Sequence, residues 1–584
     1  MISFLRTTLA SVLGILLGIG ILVMIFSAQL VTDLPEAIPD ACVLVLDESL
    51  ITSEKGSTAG VANYLAGQES SSMPLHKALA AIDAATEDGR IRAILLLGGD
   101  LHGLTAYKEM QEALLRFRAA DKQIFAYATD IDQRSYYLAS VADPVVMQPL
   151  GTFSVSGFAA ELQFYAEAMA ELGVEIQVTR VGKYKSAVEP FLLTEASPAN
   201  RDQMATLLGD LQTDYLADVA QARGLEVQTL ETFVQEGGMV TAQQAMEAGL
   251  IDQVAYFDQV LEQLRELVGD GRDGEAFAQV GLHRYIEEME YPDEPEHGPT
   301  IAVVMAEGNI VDGWDDAEIG GNGVAEILRS VRLDPNIDGV VLRVNSPGGS
   351  ASASEVILRE MQLLQEAGKP VVASMGPVAA SGGYWISCQA DVIVAQPSTI
   401  TGSIGVFGMF PNIEGLMDKV GVNVDTIKTG PYADLMSIYH RKSPEELALV
   451  QGYVDAIYDG FLDRVTAGRP LTREAVHEIA QGRVWSGSRA KELGLVDVLG
   501  SLEDAIEICA EEIGTETWRV DWLEEEPSSL DVILADLTAP EDFPVIDLGL
   551  PEEIQPFLAQ WRRWQGYVDQ PGVYARLPFE LEIR

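Results

Sequence analysis

The chain has 584 residues, 47% of them hydrophobic, which is enough to bury more than one core and too apolar for a disordered chain. Its 89 acidic and 38 basic residues give a formal net charge of −51, which argues against a nucleic-acid surface because phosphate binding needs clustered Lys and Arg. Three cysteines, Cys42, Cys388 and Cys509, lie far apart without CxxC spacing, so they read as buried apolar residues, and no zinc site, disulfide framework or cofactor is called for.

The first predicted element is an uncharged run from Thr7 to Val31, long enough to span a hydrocarbon core of roughly 30 Å. It exceeds a signal-peptide core of about 7 to 15 residues, and Phe26 spoils a small-x-small cleavage site before Ala28. An uncleaved transmembrane anchor is expected over 7–31, with a removed signal peptide as the alternative. Arg6 precedes the run while Asp33, Glu36 and Asp40 follow it. The positive-inside bias therefore puts residues 1–6 in the cytoplasm and the body of the chain outside.

Beyond the anchor the sequence repeats itself. "YYLASVADPVVMQP" from Tyr136 aligns with "YWISCQADVIVAQP" from Tyr384, and "LGVEIQVTRVGKY" from Leu172 with "VGVNVDTIKTGPY" from Val420. Asp143 and Asp391, Gln148 and Gln396, Gly157 and Gly405, Gly173 and Gly421, and Gly182 and Gly430 are each 248 positions apart. Each half also has an earlier apolar strand, "IRAILLLGGD" from Ile91 and "IDGVVLRVNSPGGS" from Ile337, at a slightly different offset. Strands alternate with amphipathic helices such as "SEVILREMQLLQEAG" from Ser354, which predicts an α/β fold with parallel sheets and sites at strand C-terminal ends. The expected domains are 40–286 and 300–514, joined by the acidic, proline-containing linker 287–299 and followed by an extension over 515–584.

The copies diverge where chemistry would sit. In "GPVAASGGYWISC", between the short apolar strands "KPVVASM" and "DVIVAQP", Ser381 lies where a strand gives way to a helix. Ser381 and Gly382 align with Gln133 and Arg134, so the first half lacks a nucleophile. In return its "VGKYKSAVEPF" places Lys185 where the second half has Ala433. A serine in one half and a lysine in the other suggest a divided Ser/Lys dyad, with burial depressing the amine pKa from about 10.4. "NSPGGS" (Asn345 to Ser350) ends a strand, and the amide of Gly348 or Gly349, with that of Gly382 at a helix start, could form an oxyanion hole aided by the helix dipole. Ser403 in "TGSIGVFG" has a hydroxyl able to orient the lysine, and the first half has Val155 there.

These motifs, together with the anchor, resemble the signal peptide peptidase A family in its long, duplicated, membrane-anchored form, also called protease IV. The resemblance covers nearly the whole chain through "YKSAVEPF", "NSPGGS", "ASGGYWIS" and "TGSIGVFG". It implies two ClpP/crotonase-like domains, a serine endopeptidase with Ser381 as nucleophile and Lys185 as general base, and tetrameric bowl-like assembly. It further implies signal peptides and other hydrophobic peptides as substrates, at the outer face of a bacterial cytoplasmic membrane, without a cofactor.

Taken singly, a serine before Gly-Gly is more often a turn or helix N-cap, and "SPGG" is a common tight turn. Lys183 would share a face with Lys185 in an extended segment; motif placement favours Lys185. His76, His102, His283, His297, His440 and His477 occupy no motif, which argues against a Ser-His-Asp triad. The rival readings are a crotonase-like acyl-CoA enzyme, which fits neither the anchor nor the Ser/Lys split, and a catalytically dead membrane-tethered scaffold.

Overall fold

A computed structural model describes residues 38–47, 51–53, 73–99, 101, 103–272, 274–289, 298–315, 318–523 and 573–576. The expected anchor over 7–31 and the segment 1–6 lie outside the described residues, as do 290–297 of the linker and most of 515–584. Among the described residues no helix is long and apolar enough to cross a membrane.

Each half is a parallel α/β sheet, and the two have the same strand order. In the first half the order is Gln253–Val254, Val145–Met147, Gln123–Ala128, Ile91–Leu96, Cys42–Leu46 and Gln279–Gly281. In the second, Val498–Leu499, Val392–Ala395, Val371–Ala380, Gly339–Ser346, Thr300–Glu307 and Arg519–Leu523 follow one another in the same way. Ile400–Gly402 and the antiparallel Val484–Ser486 extend this second sheet beyond the end of Val371–Ala380. The central strands are apolar on both faces because helices cover both: in Gly339–Ser346 every residue but Asn345 is buried. Arg519–Leu523 is the counterpart of Gln279–Gly281, so the second sheet runs past Gly514, the boundary drawn from the sequence. No periodicity marked this strand, because it is a half-buried edge of only five residues.

The helices form for ordinary reasons. Ala351–Glu366 is capped by the Ser350 hydroxyl, which accepts from the Ala353 N–H, and it buries Ile357, Leu358, Met361 and Leu364 at helical spacing. The cap is worth about 1 kcal/mol.

The two halves are welded together by elements that neither has alone. A third sheet has the order Ile319–Gly320, Ile310–Val311, Gly348–Ser350, Val573–Arg576, Val406–Asn412 and Glu175–Val181, so its last strand comes from the first half. Around that junction Met169, Ile176, Ala187 and Val188 pack with Phe407 and Met409, and elsewhere Leu207 and Leu211 pack with Ala380, Ile400 and Val484. Arg343 and Glu109, 1% and 2% exposed, form a 3.0 Å ion pair across the halves. Arg343 also donates to Ser374 Oγ at 3.1 Å. Losing one member of such a buried pair costs roughly 3–5 kcal/mol because the other charge is stranded.

Candidate active site

Four loops from the two halves meet at one buried point. The strand Val371–Ala380 ends in Ser381, which is fully buried and has φ 57° and ψ −110°. This conformation costs an L-residue about 1–3 kcal/mol. It is held because the Ser381 N–H donates to the Gly402 carbonyl at 2.8 Å and the Ser381 carbonyl accepts from the Trp385 N–H at 2.8 Å. The sharp turn into the helix Gly382–Ser387 aims the hydroxyl at the first half.

Lys185 comes from that half, at the N-terminal side of the 3-10 turn Ser186–Phe191, and is fully buried. Its Nζ lies 2.8 Å from Ser381 Oγ, 3.0 Å from Ser403 Oγ and 3.0 Å from the Ser403 carbonyl oxygen. Burial holds its pKa well below the usual lysine value, and no carboxylate among the described residues opposes it. In its neutral form the amine would have two N–H donors for the two Ser403 oxygens and a lone pair left to face the Ser381 hydroxyl. Lys183, by contrast, is exposed and lies over the Tyr184 ring at 4.9 Å. Among the described residues no hydrogen bond joins a histidine to Ser381; His76 stacks on Trp522 and His477 meets Tyr458.

The predicted oxyanion glycines are adjacent to the serine. A Cβ on Gly382 would stand 3.1 Å from Gly348 Cα and 3.1 Å from the Gly349 nitrogen, so the two loops touch. Gly349, with φ 159°, has no room for a side chain, because a Cβ would reach the Ile310 carbonyl oxygen at 2.0 Å. The Gly348 N–H donates to Ser346 Oγ at 3.1 Å, a bond that an incoming oxyanion would have to share. Beside these glycines runs a strand from the C-terminal extension. Val573–Arg576 pairs antiparallel with Gly348–Ser350 on one side and with Val406–Asn412 on the other. The cleft therefore accepts an extended backbone directly alongside the glycine loop.

Several residues that support the lysine escaped the sequence reading. Gln203 donates from Nε2 to the Tyr184 carbonyl at 3.1 Å and to Ser186 Oγ at 2.9 Å, flanking Lys185 on both sides. Asn200 donates to buried Glu189 at 3.1 Å, tying the lysine loop to the helix Pro198–Arg223. Gly482 of the second half presses on the lysine stem: a Cβ there would lie 2.6 Å from Lys185 Cβ. Glu189 was visible within "YKSAVEPF", whereas Gln203 and Gly482 sit in ordinary helix and turn contexts that give no signal. A separate group, Asp434, His440 and Glu446, has metal-like spacing, but the Asp434 carboxylate accepts from Lys428 and the Glu446 carboxylate from the Ser443 N–H.

Comparison with known proteins agrees with the duplication. The sequence profile of "Peptidase family S49" matches residues 116–270 and again 363–516, segments that hold Lys185 and Ser381 respectively. "Protease 4" of Salmonella typhi is 37% identical over 535 residues, covering 88% of this chain and 84% of that protein. "Protease 4" of Haemophilus influenzae is 36% identical over 516 residues, covering 85% and 83%. "Serine protease SPPA, chloroplastic" of Arabidopsis thaliana is 32% identical over 432 residues, covering 73% of this chain and 63% of its own.

Proposed function

This chain belongs to peptidase family S49, in its protease IV (signal peptide peptidase A) branch, and is a serine peptidase; we propose that Ser381 and Lys185 form its catalytic dyad and that it digests released signal peptides and other unfolded apolar peptides. The observation that carries the dyad is the 2.8 Å approach of a fully buried, charge-unopposed lysine amine to a buried serine hydroxyl.

In this reading the neutral Lys185 amine accepts the Ser381 proton as Oγ attacks the scissile carbonyl. The amides of Gly382 and of Gly349 or Gly348 stabilise the oxyanion. The Lys185 ammonium, held by Ser403, then gives its proton to the departing amine and leaves an acyl-serine. Lys185 next takes a proton from water, which attacks the acyl carbon, and returning that proton to Ser381 Oγ frees the product carboxylate. The substrate lies as a strand where Val573–Arg576 now lies. We place the enzyme at the outer face of a bacterial cytoplasmic membrane, anchored through 7–31, as a homotetramer of ClpP/crotonase-like domain pairs.

Two experiments test the substrate side. The purified protein should cleave a synthetic signal peptide at least about a hundredfold faster than a tightly folded globular protein of equal concentration, because strand pairing in the cleft requires an extended chain. Equal rates would sink the selectivity. Deleting residues 570–584 should lower KM for a short peptide several-fold with kcat little changed, since a tethered strand competes at high effective concentration. An unchanged KM would mean that the segment does not occupy the substrate position in solution.

A further inference from the structure

One antiparallel strand pair occurs in both halves and shows what the second half has added to it. Thr152–Ser154 pairs with Met239–Thr241, with Thr152 opposite Thr241 and Ser154 opposite Met239. Ile400–Gly402 pairs with Val484–Ser486, with Ile400 opposite Ser486 and Gly402 opposite Val484. The first strands of the two pairs are 248 positions apart and the second strands 245, so Val155 answers to Ser403 and Gly238 to Arg483. One backbone bond is kept in both copies. The Val155 N–H donates to the Gly238 carbonyl at 2.7 Å, and the Ser403 N–H donates to the Arg483 carbonyl at 2.7 Å. A bond that a glycine makes equally well does not account for an arginine, so the reason for Arg483 lies in its side chain.

That side chain crosses to the first half and closes on the residue before Lys185. The guanidinium carbon lies over the Tyr184 ring at 4.7 Å and over the Trp485 ring at 4.4 Å from their centroids. The guanidinium also donates to the Tyr184 hydroxyl at 3.0 Å and to Thr206 Oγ1 at 3.4 Å, and pairs with Asp202 at 3.1 Å. Asp202 and Thr206 belong to the helix Pro198–Arg223, whose Gln203 flanks the lysine. The backbone just before Arg483 grips the same loops: the Gln481 carbonyl accepts from the Tyr184 N–H at 3.0 Å, and the Gly482 N–H donates to the Ile404 carbonyl at 2.8 Å.

We propose that Arg483 is a positioning residue for peptide hydrolysis: its carbonyl fixes Ser403, both of whose oxygens face the lysine amine, while its guanidinium pins Tyr184 and the helix behind it, so that Lys185 is held on Ser381. This inference rests on the dyad proposed above. A planar fork is needed, because it lies flat on two rings and reaches Tyr184, Asp202 and Thr206 together; a lysine ammonium is a point charge that does neither. With the clamp gone, two things change at the amine. The loop that carries it is free to draw back from Ser381, and a displacement of about 1 Å can cost on the order of a hundredfold in rate. Water also reaches an amine that is now fully buried, which moves its pKa back toward the ordinary lysine value.

The test is the pH profile of kcat and KM for a short peptide, measured on the full-length chain in detergent. Arg483→Met should lower kcat by roughly 10- to 100-fold with KM within about twofold, and should shift the rising limb to higher pH by roughly half a unit or more. Arg483→Lys should recover less than half of that loss. Tyr184→Leu, which removes the platform from the other side, should give the same two changes, and the double variant should add little to either single one. Arg489→Met is the control, because the Arg489 pair with Asp210 at 2.6 Å joins the same helix to the second half one turn further along; it should leave kcat and the limb as in the wild type. Wild-type kcat and limb in Arg483→Met, full recovery in Arg483→Lys, additive losses in the double variant, or the same two changes in Arg489→Met would each overturn the clamp. Lys185→Met separates this from the dyad itself: a limb that persists there sinks the dyad and the clamp together, whereas a limb lost there but unmoved in Arg483→Met sinks the clamp alone.

Discussion

Ser381→Ala is expected to lower peptide hydrolysis by roughly 10⁴-fold or more, the scale seen when a nucleophile acting as part of a catalytic unit is removed, and to abolish labelling by a fluorophosphonate. The fold should survive. The turn at φ 57° is held by backbone bonds to Gly402 and Trp385 that an alanine keeps, so the melting temperature should move by no more than a few degrees. The labelling separates the peptidase from both rivals, because neither a dead scaffold nor an acyl-CoA enzyme needs an activated serine here. A variant that still cleaves or still takes the label at near wild-type rate would place the nucleophile elsewhere. Co-expression adds a second reading. Lys185 and Ser381 meet within one chain, so mixed oligomers of Ser381→Ala and Lys185→Ala chains should remain inactive; recovery of a sizeable fraction of activity would mean that the lysine is donated by a neighbour.

Much of this arrangement was legible because the chain carries its own comparison. The constant spacing between copies announced two related sheets, and these have the same strand order. The reciprocal loss of serine and lysine singled out Ser381 and Lys185 among many serines and lysines, and the structure brings the two together. What escaped has a common physical character. Gln203 acts through a buried amide within a helix whose pattern looks like any other, and Gly482 matters only because a lysine from the other half crosses it. The Arg343–Glu109 pair spans the two halves, and such partners cannot be matched before the halves are docked. The sheet shared between the halves was likewise invisible, because Val406–Asn412 and Glu175–Val181, which join the halves in it, come from segments far apart in sequence.

The second large effect is expected from Lys185→Met, which keeps the length of the side chain and removes the amine. Hydrolysis should fall by roughly 10³-fold or more, and the pH dependence should change with it. In the wild type the rate should rise about tenfold per pH unit while the lysine is mostly protonated and level off above its depressed pKa; the variant should lack that limb. Full wild-type activity at pH 4 would exclude the lysine as base. Stability should move the opposite way to activity. Burial holds the folded-state pKa of Lys185 below the ordinary lysine value, so between those two values the unfolded chain binds a proton that the folded chain does not. Across that window the wild type gains stability as pH rises, and below it the full cost of desolvation is present. Each unit of depression is worth about 1.4 kcal/mol, against about 1 kcal/mol for each hydrogen bond lost at Ser403 and Ser381. Lys185→Met should therefore melt a degree or two above the wild type near pH 7, and the difference should shrink as the pH approaches that of a free lysine. A variant less stable than the wild type at pH 7, with no such convergence, would mean that the amine is held in its charged form and that the base of the reaction lies elsewhere.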